Sequence, residues 1–295
     1  MNGVLLVHAH PDDECFATAG LIARTVAEGR RVDLVTCTGG EEGEIHDPEL
    51  DPEEAKPRLK EIRRGELQCS VEALRGEGPG TLELHLLGYR DSGMMGTEPN
   101  ARPDVFWNAD LDEATGKVVA IVRETRPRAI ITYDSNGNYG HPDHINAHRV
   151  AVAAWEAAAD PSRYPDAGEP HAVEKLYEVA FNRDAWGQLV AAMTERGIKL
   201  PWDENAAERG EEPDTVEEEE WGVPADKITT VLDVAEWYDQ KRASMACHRT
   251  QRQDLGWVLD MPDDLARRAC SPEHLVLTRW RDHEIPAGYR EDSIF

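Results

Sequence analysis

Two short clusters carry the residues best suited to chemistry: His10-Pro11-Asp12-Asp13-Glu14 and His141-Pro142-Asp143-His144. Each follows a short apolar run of strand character, Val4 to Val7 and Ala129 to Tyr133. In an open parallel sheet the carboxyl ends of neighbouring strands face one crevice, which is where ligands bind. With both runs in one sheet, the imidazoles and carboxylates of the two clusters would meet there. Such a set suits a catalytic divalent metal, which needs neutral imidazoles, a carboxylate ligand, an open position for water and a spare base. The pattern predicts a metal-dependent hydrolase.

His10 and Asp13 are three residues apart, so in a tight turn or at a helix start they can converge on one ion. Pro11 suits a first helical turn, where its missing N–H costs nothing. Asp12 then points elsewhere, close to the metal and free to take a proton. His141 and His144 repeat the spacing around Pro142, and one of them can complete the ligand set while the other faces substrate. Zinc would bring the pKa of bound water down to about 7. A neighbouring carboxylate would take that proton, and an imidazole or phenol would stabilise the oxyanion. Other chemistries lack their signatures. There is no GxSxG elbow and no Walker A loop, and Gly39-Gly40-Glu41-Glu42-Gly43 does not fit the dinucleotide fingerprint.

The clusters must be placed by regular elements, and the hydrophobic spacing supplies them. Strands are expected at Val4–Val7, Val32–Thr36, Leu82–Leu87 and Ala129–Tyr133. Helices alternate with them near 16–28, 56–74, 111–124 and 143–158. This alternation predicts an α/β fold with a Rossmann-like, doubly wound, mostly parallel sheet. Residues 1–160 are expected to form the metal-binding catalytic region, and 161–295 a smaller α+β part that completes the substrate pocket. In that second part strands are expected near 173–181 and 228–232 and helices near 184–196 and 234–247, with an acidic loop near 204–224.

The chain of 295 residues carries 58 acidic against 32 basic residues, a net charge of −26. A surface of that sign repels phosphate backbones and anionic lipid, which disfavours nucleic acid and membranes as partners. No apolar run is long enough to span a bilayer and no secretory signal is visible, so a soluble, cytoplasmic protein is expected. The five cysteines are scattered and never spaced as CxxC, which argues against a disulfide framework and against a thiolate zinc site.

HAHPDDE (His8 to Glu14) together with YGHPDH (Tyr139 to His144) resembles the LmbE-like, or PIG-L-like, zinc N-deacetylases. TGGEEGE (Thr38 to Glu44), the pair Arg63 and Glu66, and YRDSGM (Tyr89 to Met94) extend the likeness across residues 3–156. The resemblance implies hydrolysis of the amide of a glucosamine-type sugar, with a small-molecule amino-sugar conjugate as partner. It implies zinc held by His10, Asp13 and His144, with iron(II) able to replace it, and Asp12 as general base. His141 would polarise the carbonyl or protonate the leaving amine, Tyr139 would lie near the oxyanion, and Asp143 would hold an imidazole's orientation. Arg63 and Asp91 would hold the sugar or its inositol neighbour. Within the family, weaker likeness over Asp160 to Tyr177 and at His248-Arg249-Thr250-Gln251 points to the mycothiol S-conjugate amidase. Cys15-Phe16-Ala17, where that branch carries a lysine, and Met94 to Asn100 point to the N-acetylglucosaminyl-inositol deacetylase. The amidase is the expected activity, with the deacetylase as its alternative.

Overall fold

Val4–His8 (β1) is buried at every position, as expected of a strand covered on both faces. The computed structural model describes residues 3–198 and 222–295. Most of the acidic loop expected near 204–224 therefore lies outside the described residues. Around β1 stand β2 (Arg31–Thr38), β3 (Thr81–Tyr89), β4 (Ala129–Thr132) and β5 (Lys175–Ala180). All five are parallel neighbours in the order β3-β2-β1-β4-β5. Two further strands, β6 (Thr230–Asp233) and β7 (Pro272–Trp280), complete one seven-stranded sheet, with β7 antiparallel to both β5 and β6. The C-terminal region thus continues the sheet that the N-terminal region begins.

Helices cover both faces. On one lie α2 (Ala19–Ala27) and α4 (Leu59–Arg75), which pack on each other and on the helix Tyr238–Cys247. The other face carries α5 (Leu111–Thr125) against α7 (Pro142–Ala157), and α7 also packs on β1 and β4. Shorter helices α1 (Asp13–Ala17), α3 (Pro52–Ala55) and α6 (Gly137–Gly140) sit in the connections, and α8 (Arg183–Glu195) follows β5. The expected helix near 16–28 is broken at Thr18, so that α1 can turn the first cluster towards the sheet edge.

β1 pairs with β2 on one side and β4 on the other, so the strand order reverses between β1 and β4. Leu6 is opposite Ile131, which leaves His8 to His10 and Tyr133 leaving the sheet side by side. The two clusters therefore meet at the topological switch point, where open α/β sheets bind ligands.

One expectation is corrected. Cys69 in α4 and Cys247 in the C-terminal helix form a disulfide, with Cα atoms 5.7 Å apart. Their separation of 178 residues gave no local signature, and only the packing of the two helices brings them together. Cys15, Cys37 and Cys270 are free.

Candidate metal centre and cleft

The first cluster starts as soon as β1 ends. Asp13 Oδ2 accepts the backbone N–H of His10 at 2.6 Å, which closes a turn and brings both side chains to one side. In the second cluster His141 caps α7: its Nδ1 accepts the N–H of Asp143 at 3.1 Å, and Pro142 occupies the first helical turn. That bond leaves Nε2 to carry the proton of a neutral His141 ring.

His10 Nδ1 and His144 Nε2 face each other at 3.2 Å. Asp13 spans the pair, with Oδ1 3.3 Å from the His144 nitrogen and Oδ2 3.6 Å from that of His10. A His141 nitrogen lies within 4.8 Å of the same two imidazoles. Two imidazole nitrogens this close need a hydrogen or a cation between them, since two facing lone pairs repel. Burial alone would lower His10, but Asp91, Asp13 and Asp143 around it raise it well above the ordinary histidine value. Burial would likewise raise Asp13, yet His144 and His10 hold it well below the usual carboxylate range. The donor set, two imidazoles and a carboxylate with an open side, fits a catalytic divalent cation.

The far side of His10 is also built. Its Nε2 lies 3.3 Å from Asp143 Oδ2 and 3.7 Å from Asp91 Oδ1. Asp143 is in turn held by the N–H of Ser92 at 2.9 Å and by the Ser92 hydroxyl. A carboxylate behind a ligating imidazole fixes its tautomer and ring angle. Asp91 accepts the N–H groups of Glu42 and Gly93 and is held below the usual range by His10, against the pull of burial. It is 3% exposed, at the back of the cleft as much as on its wall.

Asp12 occupies the junction between the turn and α1 with φ 119°, a left-handed conformation for a residue with a side chain. Such a backbone costs about 1–3 kcal/mol and persists only where its surroundings enforce it. Arg63 helps to enforce it. Its guanidinium, 3% exposed, donates to Gly40 O at 2.9 Å, to Pro11 O at 2.6 Å and to Asp12 Oδ2 at 3.0 Å. Arg63, which the resemblance assigns to the sugar, lines the cleft and also braces the Pro11-Asp12 turn through two of these bonds. Burial pushes the Asp12 carboxyl up to about 6, against Arg63 and with Asp13 adding to the rise.

Burial, with His10 and His144 adding to it, pushes His141 down to about 3, so its ring is neutral near pH 7. Tyr139 stands at the mouth, 56% exposed, its ring 4.9 Å from that of His144 and 6.2 Å from that of His141. Asn138 at φ 66° and Gly140 at φ 89° on either side let the chain turn that sharply.

Sequence reasoning missed Tyr133. Its hydroxyl donates to Asp13 Oδ2 at 2.6 Å and accepts from Ala9 N at 2.7 Å, while its ring stacks on His144 with centroids 4.1 Å apart. Its position at the end of the fourth strand, level with the first cluster, was the available signal.

These groups line a cleft of about 710 Å³, walled further by Glu42, Glu44, Met94, Phe181, Gln251 and Leu255. The C-terminal region thus contributes side chains to the wall. Among the described lining residues the only guanidinium or ammonium is Arg63, already committed to the turn. No described helix is long and apolar enough to cross a membrane.

Residues 5–155 match the family described as PIG-L, GlcNAc-PI de-N-acetylase. A protein of Geodermatophilus obscurus, a 1D-myo-inositol 2-acetamido-2-deoxy-alpha-D-glucopyranoside deacetylase, is 42% identical over 282 residues, covering 94% of this chain and 92% of its own. Two solved structures share the fold at low identity. The 4-carboxy-2-hydroxymuconate hydratase GalB of Pseudomonas putida KT2440 has a TM-score of 0.59 at 18% identity, covering 96% of this chain and 99% of its own. The N,N'-diacetylchitobiose deacetylase of Pyrococcus horikoshii has 0.58 at 16%, covering 94% and 84%. Since a hydratase and a deacetylase both have this fold, fold alone does not name the reaction. The family match and the full-length relative do establish membership: the chain belongs to the PIG-L family and is a hydrolase of the N-deacetylase type.

Proposed function

We propose that this protein removes the acetyl group from an N-acetylglucosaminyl-inositol, using one zinc ion held by His10, Asp13 and His144. The observation that carries the reading is the convergence of those three side chains within 3.2–3.6 Å of one another, beside the partly buried carboxylate of Asp12, which is none of them. The substrate follows from the relatives. The deacetylase of Geodermatophilus obscurus aligns through the C-terminal half as well as the front loops. The alternative activity is therefore better supported than the S-conjugate amidase, which the C-terminal motifs had favoured. The acidic cleft, with Arg63 already paired, suits the uncharged inositol of that relative's substrate better than a phosphate-bearing one.

Zinc would supply Lewis acidity at the acetamide oxygen and acidify the attacking water. The protein's own groups would do the rest. Asp12, ionised near pH 7, takes the proton of the attacking water on its carboxylate and afterwards returns it to the leaving amine. His141 donates Nε2–H to the developing oxyanion, with the Tyr139 hydroxyl at the mouth of the cleft as a second donor. Asp143 keeps the His10 ring at its angle, and Arg63 keeps Asp12 turned into the cleft.

The test is release of acetate from N-acetylglucosaminyl-inositol by protein loaded with one equivalent of zinc, beside a cysteine-bearing S-conjugate and beside the Asp12→Ala variant. Turnover of the first substrate that collapses in the variant while zinc stays bound supports the reading. Preferential cleavage of the S-conjugate would return the activity to the amidase, and no hydrolysis of either would end the proposal.

A further inference from the structure

Directly behind Asp12 lies a buried polar cluster that the mechanism above does not use. Glu14 is fully buried, and its two carboxylate oxygens divide their work. Oε2 accepts the backbone N–H of Asp12 at 3.0 Å. Oε1 meets His248 Nε2 at 2.6 Å and the Ser70 hydroxyl at 2.5 Å. Ser70 in turn lies 2.6 Å from the Ser244 hydroxyl. His248 is 1% exposed and begins just past the helix Tyr238–Cys247.

Glu14, Cys15 and His248 are close enough to be considered as a second cation site. Their bonds argue otherwise. Glu14 already has a donor on each oxygen, and the Cys15 thiol donates to Asp12 O at 2.9 Å. The whole cluster is aimed at the Asp12 peptide: Glu14 holds its N–H, while Cys15 holds its carbonyl through both N–H, at 3.0 Å, and Sγ. A carboxylate and an imidazole buried in this way add little net stability over apolar residues of the same shape. Their geometry answers a different need, the left-handed backbone of Asp12.

We propose that Glu14 and His248 are positioning residues for Asp12: His248 and Ser70 fix the Glu14 carboxylate, and Glu14 fixes the Asp12 peptide so that its side chain enters the cleft. His248 thus reaches the base from the other end of the sequence. The neighbours of Ser70 and His248 in the chain, Cys69 and Cys247, join the two supporting helices covalently. The proposal rests on the reading of Asp12 as general base.

The experiment compares zinc-loaded His248→Leu, His248→Gln, Ser70→Ala and Asp12→Ala proteins in acetate release from N-acetylglucosaminyl-inositol. Gln can place an amide donor near the position of Nε2, and Leu cannot. A base displaced by a fraction of an ångström lowers kcat with little effect on substrate binding, so His248→Leu should lose about tenfold or more in kcat. KM and zinc stoichiometry should stay unchanged, and His248→Gln should recover most of the loss. If His248→Leu does not fold, Ser70→Ala, which removes only a hydroxyl, carries the test. Lower kcat at constant KM and zinc content supports the brace, and wild-type kcat overturns it. Equal losses in the Leu and Gln variants, or loss of zinc with activity, would also overturn it. An active Asp12→Ala protein would instead remove the general-base reading on which the proposal stands.

Discussion

Tyr133 donates its phenol hydrogen to Asp13 across 2.6 Å, from the end of β4 to the turn that follows β1. Burial and the Asp13 carboxylate beside it raise the phenol well above its ordinary value, so it stays a donor at any working pH. The same hydroxyl receives Ala9 N–H, which ties the Asp13 carboxylate to the backbone just after β1.

Tyr133→Phe should therefore keep the fold and weaken zinc binding by about 10–100-fold, the usual effect of losing a group that orients a ligand. Competition with a chromophoric chelator measures it. Unchanged affinity would mean that Asp13 is held well enough by His10 N–H alone.

Activity should show an acid limb set by Asp12. A general base works only when deprotonated, so kcat/KM falls as pH drops through the carboxyl's pKa, pushed up to about 6 by burial. A bound cation can only lower that value, which puts the limb at or below about 6. A pH profile of kcat/KM reads it directly, and a limb above 7 would point to a different group.

The cross-link between Cys69 and Cys247 closes a very long loop, which in the chain-entropy account stabilises by up to about 5 kcal/mol. Thermal unfolding with and without a thiol reductant should show a midpoint several degrees lower when reduced. Cys69→Ser should match the reduced protein. Identical midpoints would mean that the two thiols do not bridge in solution.

Glu178 in β5 offers a pH effect away from the His10, Asp13 and His144 cluster. Burial pushes its carboxyl up to about 7, with Asp134 adding and Arg279 opposing. Between its unfolded value, about 4.3, and 7 the folded protein binds a proton that the unfolded chain has released. Stability is then full at low pH and falls as pH rises through that window. Glu178→Gln should raise the unfolding midpoint at pH 8 and leave it nearly unchanged at pH 4. Equal shifts at both values would trace the effect to packing instead.

The half of the fold that holds the clusters was legible because parallel strands buried on both faces read as unbroken apolar runs, as Val4–Val7 and Ala129–Ile131 do. β7 was not. Its continuous apolar stretch is only Leu275–Leu277, set among Glu273, His274 and Arg279, and it is placed by antiparallel pairing with β5 and β6. The convergence of His10, Asp13, His141 and His144 was legible because their i, i+3 spacing is local. Glu14 and His248 were not, since a hydrogen bond spanning most of the chain leaves no periodicity. The bonds of Arg63 to Pro11 O and Asp12 Oδ2 were not legible either, since they join residues about fifty positions apart.

The strand order has a consequence for how the protein is made. β7 is the last strand in sequence and lies between β5 and β6, both synthesised earlier. Until residues 272–280 emerge from the ribosome, β5 has no partner on that side and presents an open row of N–H and C=O groups. Open edges of this kind invite pairing with other chains. That side of β5 is therefore closed only when residues 272–280 take their place between β5 and β6.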